Sequence, residues 1–487
     1  MVVTRFAPSP TGFLHVGHIR TALYSYALAR KYKGKFILRI EDTDKKREVT
    51  GAVESIIKTL KVFNISFDEG PIVGGPNEPY IQSQRLDVYR AKANELIDKN
   101  VAYYCFCDHE KLEDMRETQR SKGDQPMYDG RCKNLRGGEV QEKLKKGEPY
   151  VIRLKVPEGR TIRIEDKILG KISWDSNTID DQILIKSDGY PTYHLAVVVD
   201  DVLMGITHIT RGFEWLSSVP KHVLLFEAFK YKIPVMAHLP LILNPQGGKL
   251  SKRKGSVSAE EFLMQGYLPE AILNFIMLLG WAPKDDREFY SLKEFVKEFS
   301  LDRLNKSNPV FNREKLIWFN GEYIRRQSTK LFSQKVLSWI KTYHSKDEIG
   351  SEIIKDKKLS EKLELIQERA KLLSEVLDSL AFFYKIQPIP DLKDIKGVKR
   401  YPEEEYRKVL IEYYATIRKY SDNTSDWKHK KWETDMRALA DVYNWKHGDM
   451  FMLIRIMMCG SPYSPPLFES MQILGKREVL NRLDQYT

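Results

Sequence analysis

One stretch constrains the fold more than any other. The chain opens with an apolar strand that runs straight into a proline- and glycine-rich turn and then a helix. Residues 1–6 read as a buried strand, Pro8-Ser9-Pro10-Thr11-Gly12 as the turn, and 18–31 carry helical apolar spacing. A second short strand follows at 36–40, then amphipathic helices over 51–62 and 85–98. Strand, helix and strand in this rhythm predict a parallel, doubly wound sheet with ligands at the carboxyl ends of its strands.

The rhythm changes near residue 104. Residues 105–150 are rich in Lys, Glu, Gly and turn formers, and "YVIRLKVP", "TIRIED" and "QILIKSDG" then read as antiparallel strands of an insertion. The βα pattern resumes at 193–212, 221–229 and 238–243. Beyond about residue 325 the chain reads as helix. In "EKLELIQERAKLLSEVLDSLAFFY", Ile366, Ala370, Leu373, Leu377 and Leu380 form an amphipathic stripe, read as bundle core. Further helices are expected over 403–419 and 434–457, ending at "CGSPYSPP". The fold class expected is α/β: a Rossmann-like doubly wound parallel sheet, split by an α+β insertion and followed by an all-α carboxyl-terminal half.

Composition bears mainly on partners and setting. Lys and Arg outnumber Asp and Glu by 79 to 67, a net charge of +12 that suits a polyanion such as nucleic acid without requiring one. No secretory h-region is expected, and "AILNFIMLLGWA" is shorter than the roughly 20 residues a membrane span needs. Four cysteines in 487 residues do not make a disulfide framework, so a reducing cytoplasm is the expected setting.

Two constellations carry chemistry. In the first, the opening turn and the helix after it aim backbone N–H groups at the end of the sheet, where a phosphate is favoured. Gly12 and Gly17 permit close approach of a ligand, and His15 and His18, three apart, can reach one site. A metal pair or simple turn histidines are the alternatives. The second is Lys249-Leu250-Ser251-Lys252-Arg253-Lys254-Gly255, preceded by "NPQGG". Such a run is usually a solvated loop, but glycines on both sides would let it close lysines onto a triphosphate.

Taken together, "HVGH" and the distant "KLSKR" resemble the HIGH and KMSKS signatures of class I aminoacyl-tRNA synthetases. The fuller pieces "RFAPSPTGFLHVGHIRTAL", "LRIEDTD", "YPTYHLAVVVDD", "ITRGFEWLSS", "NPQGGKLSKRKG", "FNREKLIWFNGEYIR" and "PPLFESMQILGK" resemble the glutamyl-tRNA synthetases over nearly the whole chain. The resemblance implies adenylation of glutamate by ATP, with Mg²⁺ accompanying the nucleotide, then transfer to the terminal adenosine of tRNA(Glu), with tRNA(Gln) a further candidate. His15, His18 and Lys252 would be catalytic. Gly17, Glu214, Ile242, Lys249, Leu250, Ser251, Lys252 and Arg253 would face ATP. Arg5 and Arg211, helped by Tyr193, would hold the second carboxylate of glutamate, which calls for guanidinium because that group pairs bidentately and keeps its charge. Glu41 would hold the ammonium, with Ala7 and Ser9 completing the cradle. Val197 stands where some relatives carry Asn near the glutamate.

The same resemblance divides the chain into a first catalytic half (1–104), an inserted acceptor-stem domain (105–192) and a second catalytic half (193–245). A lysine-loop and stem-contact region (246–325) and a helical anticodon-binding region (326–487) follow. A monomer is expected. Cys105, Cys107 and Cys132 cluster in the insertion and suggest structural Zn²⁺. Tyr128 matches a variant of the family's zinc pattern, His109 is the chemical alternative as fourth ligand, and three free thiols are the bland one. Basic and aromatic residues such as those in "DWKHKKWETDMR" suit RNA phosphates and unpaired bases, or a solvated helical face. Four other assignments compete, one of them the shortened relative that glutamylates a modified tRNA base, which lacks the anticodon domain this chain has room for. A glutaminyl enzyme would usually have a β-barrel anticodon domain, and a small nucleotidylyltransferase would leave the latter half unexplained. A non-catalytic tRNA-binding protein would be expected to have lost His15, His18 or Lys252.

Overall fold

The computed structural model describes residues 1–250, 258–420 and 427–485. Its chain divides into two compact units, Met1–Glu261 with Ile272–Asn312 and Phe262–Ala271 with Arg313–Thr487.

The first unit contains nine strands among its described residues: β1 (Val3–Phe6), β2 (Lys35–Leu38), β3 (Ala102–Cys105), β4 (Val151–Leu154), β5 (Thr161–Asp166), β6 (Gly170–Asp175), β7 (Ile183–Ile185), β8 (His208–Gly212) and β9 (Val235–Leu239). The predicted opening βαβ unit is present: β1 pairs parallel with β2, Arg5 opposite Ile37, and the helix Val16–Lys31 crosses between them. That helix is buried on most of its sides, with Ile19, Ala22, Leu23, Tyr24, Ala27 and Leu28 all covered. Val3 and Thr207 exchange hydrogen bonds and lay β1 against the start of β8. Strands β8 and β9 are parallel, with Arg211 opposite His238.

The stretch from β3 to β7 contributes two things. Strands β3, β4 and β7 make an antiparallel sheet of their own, while the hairpin β5–β6 joins β9 and extends the parallel sheet in the order β6-β5-β9-β8. This seats Asp166, the last residue of β5, beside β9, opposite Met236.

The second unit is helical around Tyr413, Trp432, Met450 and Leu453. Two predicted helices are each broken in two. The stripe through Ile366 and Leu380 is shared between the helices Leu359–Gln367 and Leu373–Ala381, because the backbone N–H groups of Lys371 and Leu372 turn to the Glu375 carboxylate. Likewise 434–457 becomes His429–Val442 and His447–Cys459, with Asn444 at φ 54°, a left-handed conformation that asparagine tolerates. The second of these ends at Gly460, φ 67°, as the breaker cluster predicted. Among the described residues no helix is long and apolar enough to cross a membrane.

Candidate active site

A cavity of about 460 Å³ opens at the carboxyl ends of β1, β8 and β9. Around it stand Arg5, Ala7, Ser9, His15, Gly17, His18, Glu41, Tyr193, Arg211, Glu214, Ile242, Lys249 and Leu250. Of the residues singled out in the sequence for glutamate or ATP, Val197 alone among those described is not part of the lining. It is 1% exposed, on the part of the helix Tyr193–Leu203 that packs into the core. Ser251, Lys252 and Arg253 lie outside the described residues.

At one end, His15 is the N-cap of the helix Val16–Lys31. Its Nδ1 accepts from the Gly17 N–H at 3.0 Å, and the His18 Nδ1 faces the His15 N–H at 3.4 Å. These bonds satisfy donors that a helix N-terminus leaves open. The two rings stack with centroids 3.7 Å apart. A Cβ on residue 17 would lie 2.9 Å from the His15 ring, so only glycine lets the stack sit this close to the backbone. Close by, Leu250 N–H bonds to the Ile242 carbonyl, Lys249 Nζ lies 3.7 Å from Glu214, and Ser258 pairs with His15. Both described residues that flank 251–257 are therefore anchored at the histidine end.

The other end is charged and buried. Arg39, fully buried, donates to Asp201 at 2.8 Å and to Glu41 at 2.9 Å, and Arg5 donates to the same Asp201 oxygen at 3.2 Å. Behind them Asp200 accepts from Arg85, Gln82 and Tyr89. Burial pushes the Glu41 carboxyl up, against the pull of Arg39 and Arg5. Burial acts the same way on Asp201, but there the two guanidiniums prevail and hold the carboxyl below its ordinary range. Breaking such a buried pair costs about 3–5 kcal/mol, because it strands the remaining charge.

Arg211, 5% exposed, faces the same end from β8. Its Nη1 donates to the Tyr193 hydroxyl at 3.3 Å, and its Nη2 is buried with no hydrogen-bond partner among the described residues. A buried guanidinium N–H facing a cavity and left open is a site for an incoming acceptor. The Tyr193 ring packs on Trp215, centroids 4.2 Å apart, which forms a wall.

In the insertion, the sulfurs of Cys105, Cys107 and Cys132 lie within 4.8 Å of one another. The Tyr128 hydroxyl is 3.3 Å from the Cys105 sulfur and 3.4 Å from that of Cys107, while Arg153 covers its ring at 4.0 Å. His109 does not join the cluster. Three soft sulfur donors with an oxygen beside them fit tetrahedral zinc.

Sequence reading missed Arg39, Asp201, Trp215, His222 and His238. "LRIEDTD" and "VVVDD" were visible as motifs, but the pairing of Arg39 with Asp201 across 162 positions leaves no local signal.

A family described as tRNA synthetases class I (E and Q), catalytic domain, matches residues 1–318, and one described as anticodon binding domain matches 331–487. The glutamate–tRNA ligase of Prosthecochloris aestuarii is 43% identical over 497 residues, covering 99% of this chain and 97% of that protein. That of Clostridium novyi is 44% identical over 483 residues, covering 99% and 96%. The crystal structure of a glutamate tRNA ligase from Elizabethkingia meningosepticum, in complex with its amino acid, is similar at a TM-score of 0.85 and 36% identity, covering 100% of this chain and 99% of that one.

Proposed function

We infer the working of the cavity from one premise: the chain belongs to the class I tRNA synthetases for glutamate and glutamine, and its activity is that of a glutamate–tRNA ligase. Glutamate enters with its side-chain carboxylate on Arg211 and Arg5, its ammonium at Glu41, and Ala7, Ser9 and Tyr193 around it. The ammonium adds a positive charge to those of Arg39 and Arg5 and so favours the ionised form of the buried Glu41 carboxylate. ATP lies along the other end, its phosphates against His15 and His18 over Gly17, its remaining parts near Glu214, Ile242, Lys249 and Leu250. By family resemblance Lys252, with Ser251 and Arg253, serves the pyrophosphate.

The reaction needs alignment and charge neutralisation more than a covalent nucleophile. The α-carboxylate attacks the α-phosphorus, pyrophosphate leaves, and the tRNA terminal hydroxyl then displaces AMP. Mg²⁺ bound with ATP would neutralise further phosphate charge. What supports this division best is that two sets of residues, each chemically matched to one substrate, line one cavity.

The helical unit would carry the anticodon. A cavity of about 870 Å³ there has Arg369 and Arg455 on its walls, and guanidinium planes are suited to stacking unpaired bases. A cytoplasmic monomer is proposed for the working form. Purified protein with ATP, Mg²⁺ and tRNA(Glu) should form glutamyl-tRNA and no glutaminyl-tRNA. Preferential charging with glutamine would overturn the assignment, and tRNA(Gln) in parallel tests the second partner.

Cys105, Cys107, Cys132 and Tyr128 would hold zinc, which would clamp the two ends of the insertion's loop. Metal analysis of protein purified without chelator should give about one zinc per chain, and Cys107→Ser should lower it severalfold. A ratio far below one in the unaltered protein removes the site.

A further inference from the structure

Arg211 is held in an unusual way. Its Nε donates to His238 Nε2 at 3.0 Å, and its Nη1 faces His222 Nδ1 at 3.2 Å. Among the described residues no carboxylate lies within ion-pair distance of it, whereas Arg5 is paired with Asp201. The rings have their own supports. His238 Nδ1 lies 2.7 Å from Asp166, and His222 Nε2 lies 3.1 Å from His194 Nδ1.

These contacts decide the tautomers. A guanidinium has only donors, so His238 Nε2 and His222 Nδ1 must both accept. A protonated His238 would set two N–H groups head to head at 3.0 Å. Its single proton therefore sits on Nδ1 and points to Asp166, and that of His222 sits on Nε2 and points to His194. Burial and the Arg211 charge push His222 well below the ordinary imidazole range. Burial does the same to His238, with Asp166 opposing.

We propose that His222 and His238 are specificity-determining positioning residues: as neutral acceptors they aim Arg211 without neutralising it, so that its full charge selects the carboxylate of glutamate over the amide of glutamine. A carboxylate in either place would orient the guanidinium equally well. It would also cancel the charge, and an amide oxygen would then be accepted almost as readily. Asp166 acts one step further out, fixing the His238 tautomer from β5. The inference rests on the reading of Arg211 as the carboxylate-binding residue.

The test compares His222→Asp, which installs a charge, with His222→Asn, which keeps a neutral acceptor. Glutamylation kinetics would be measured with glutamine as a competing substrate. His222→Asp should reduce the glutamate-over-glutamine ratio by about tenfold or more, mainly through the KM for glutamate, while His222→Asn stays within a few-fold of the unaltered ratio. Equal losses in both variants with the ratio retained would mean a merely structural role and overturn the proposal. Arg211→Ala separates the two levels: an unchanged KM for glutamate in that variant removes the underlying reading itself. Should His222→Asp fail to fold, ¹⁵N spectra of the unaltered protein at pH 7, assigned with His222→Asn and His238→Gln, decide the matter. Both rings should be neutral single tautomers, and an imidazolium at either position would sink the idea.

Discussion

Arg211→Ala is expected to raise the KM for glutamate by about 10²–10³-fold while the KM for ATP stays within a few-fold, because the open Nη2 is the group left to meet the carboxylate, a hydrogen bond between charged groups contributes about 1.5–3 kcal/mol, and the full charge of the guanidinium is lost with it. The loss falls on glutamate because Arg211 sits among Tyr193, His222 and His238, away from the histidine end of the cavity. Truncation also leaves acceptors on both imidazoles without their donor, so some loss of stability accompanies it. Arg211→Lys should recover little, since an ammonium cannot reach His238, His222 and the substrate at once. Steady-state aminoacylation with each substrate varied in turn is the measurement. A change confined to ATP would mean that the two ends of the cavity have been assigned the wrong way round.

The second large effect is expected at the other end. His18→Ala should lower kcat by about 10²–10³-fold with little change in the KM for glutamate, the loss typical of one donor aimed at developing charge. The substitution also removes the partner of the His15 N–H, a capping contact whose loss costs about 1 kcal/mol. His18→Asn separates the two roles, because its short side chain can still accept at the cap but cannot reach as far into the cavity. If both variants are equally slow, the loss belongs to the nucleotide and not to the helix. A kcat within threefold of the unaltered value for His18→Ala would remove His18 from the chemistry.

These two variants probe residues that differ in how they could be read from sequence. His18 belongs to a turn whose composition, "PTGFLHVGH", already announces a helix N-terminus built for an anion, since prolines, glycines and capping histidines act locally. Arg211 is one arginine in a strand. Only the parallel register of β8 on β9, which sets it opposite His238, reveals what it is held by. Helix interruptions were similarly hidden. The apolar stripe through Ile366 and Leu380 continues across a break made by side-chain capping at Glu375, because periodicity records which face is buried and not whether the backbone is continuous.

By itself the sequence determined the βαβ opening, the helical latter half and most of the residues that line the cavity. Those features rest on local spacing, turn chemistry and motifs in order along the chain. Tertiary structure alone decided how the charges are shared. Asp201 ties Arg5 to Arg39 and Arg39 to Glu41, while Arg211 is left against neutral rings. It also placed Asp166, a residue of β5, beside β9 as the support of His238. The physical reason is range. Propensity and capping act over a few residues, whereas the charge state of a buried group depends on partners that only folding brings within hydrogen-bond distance.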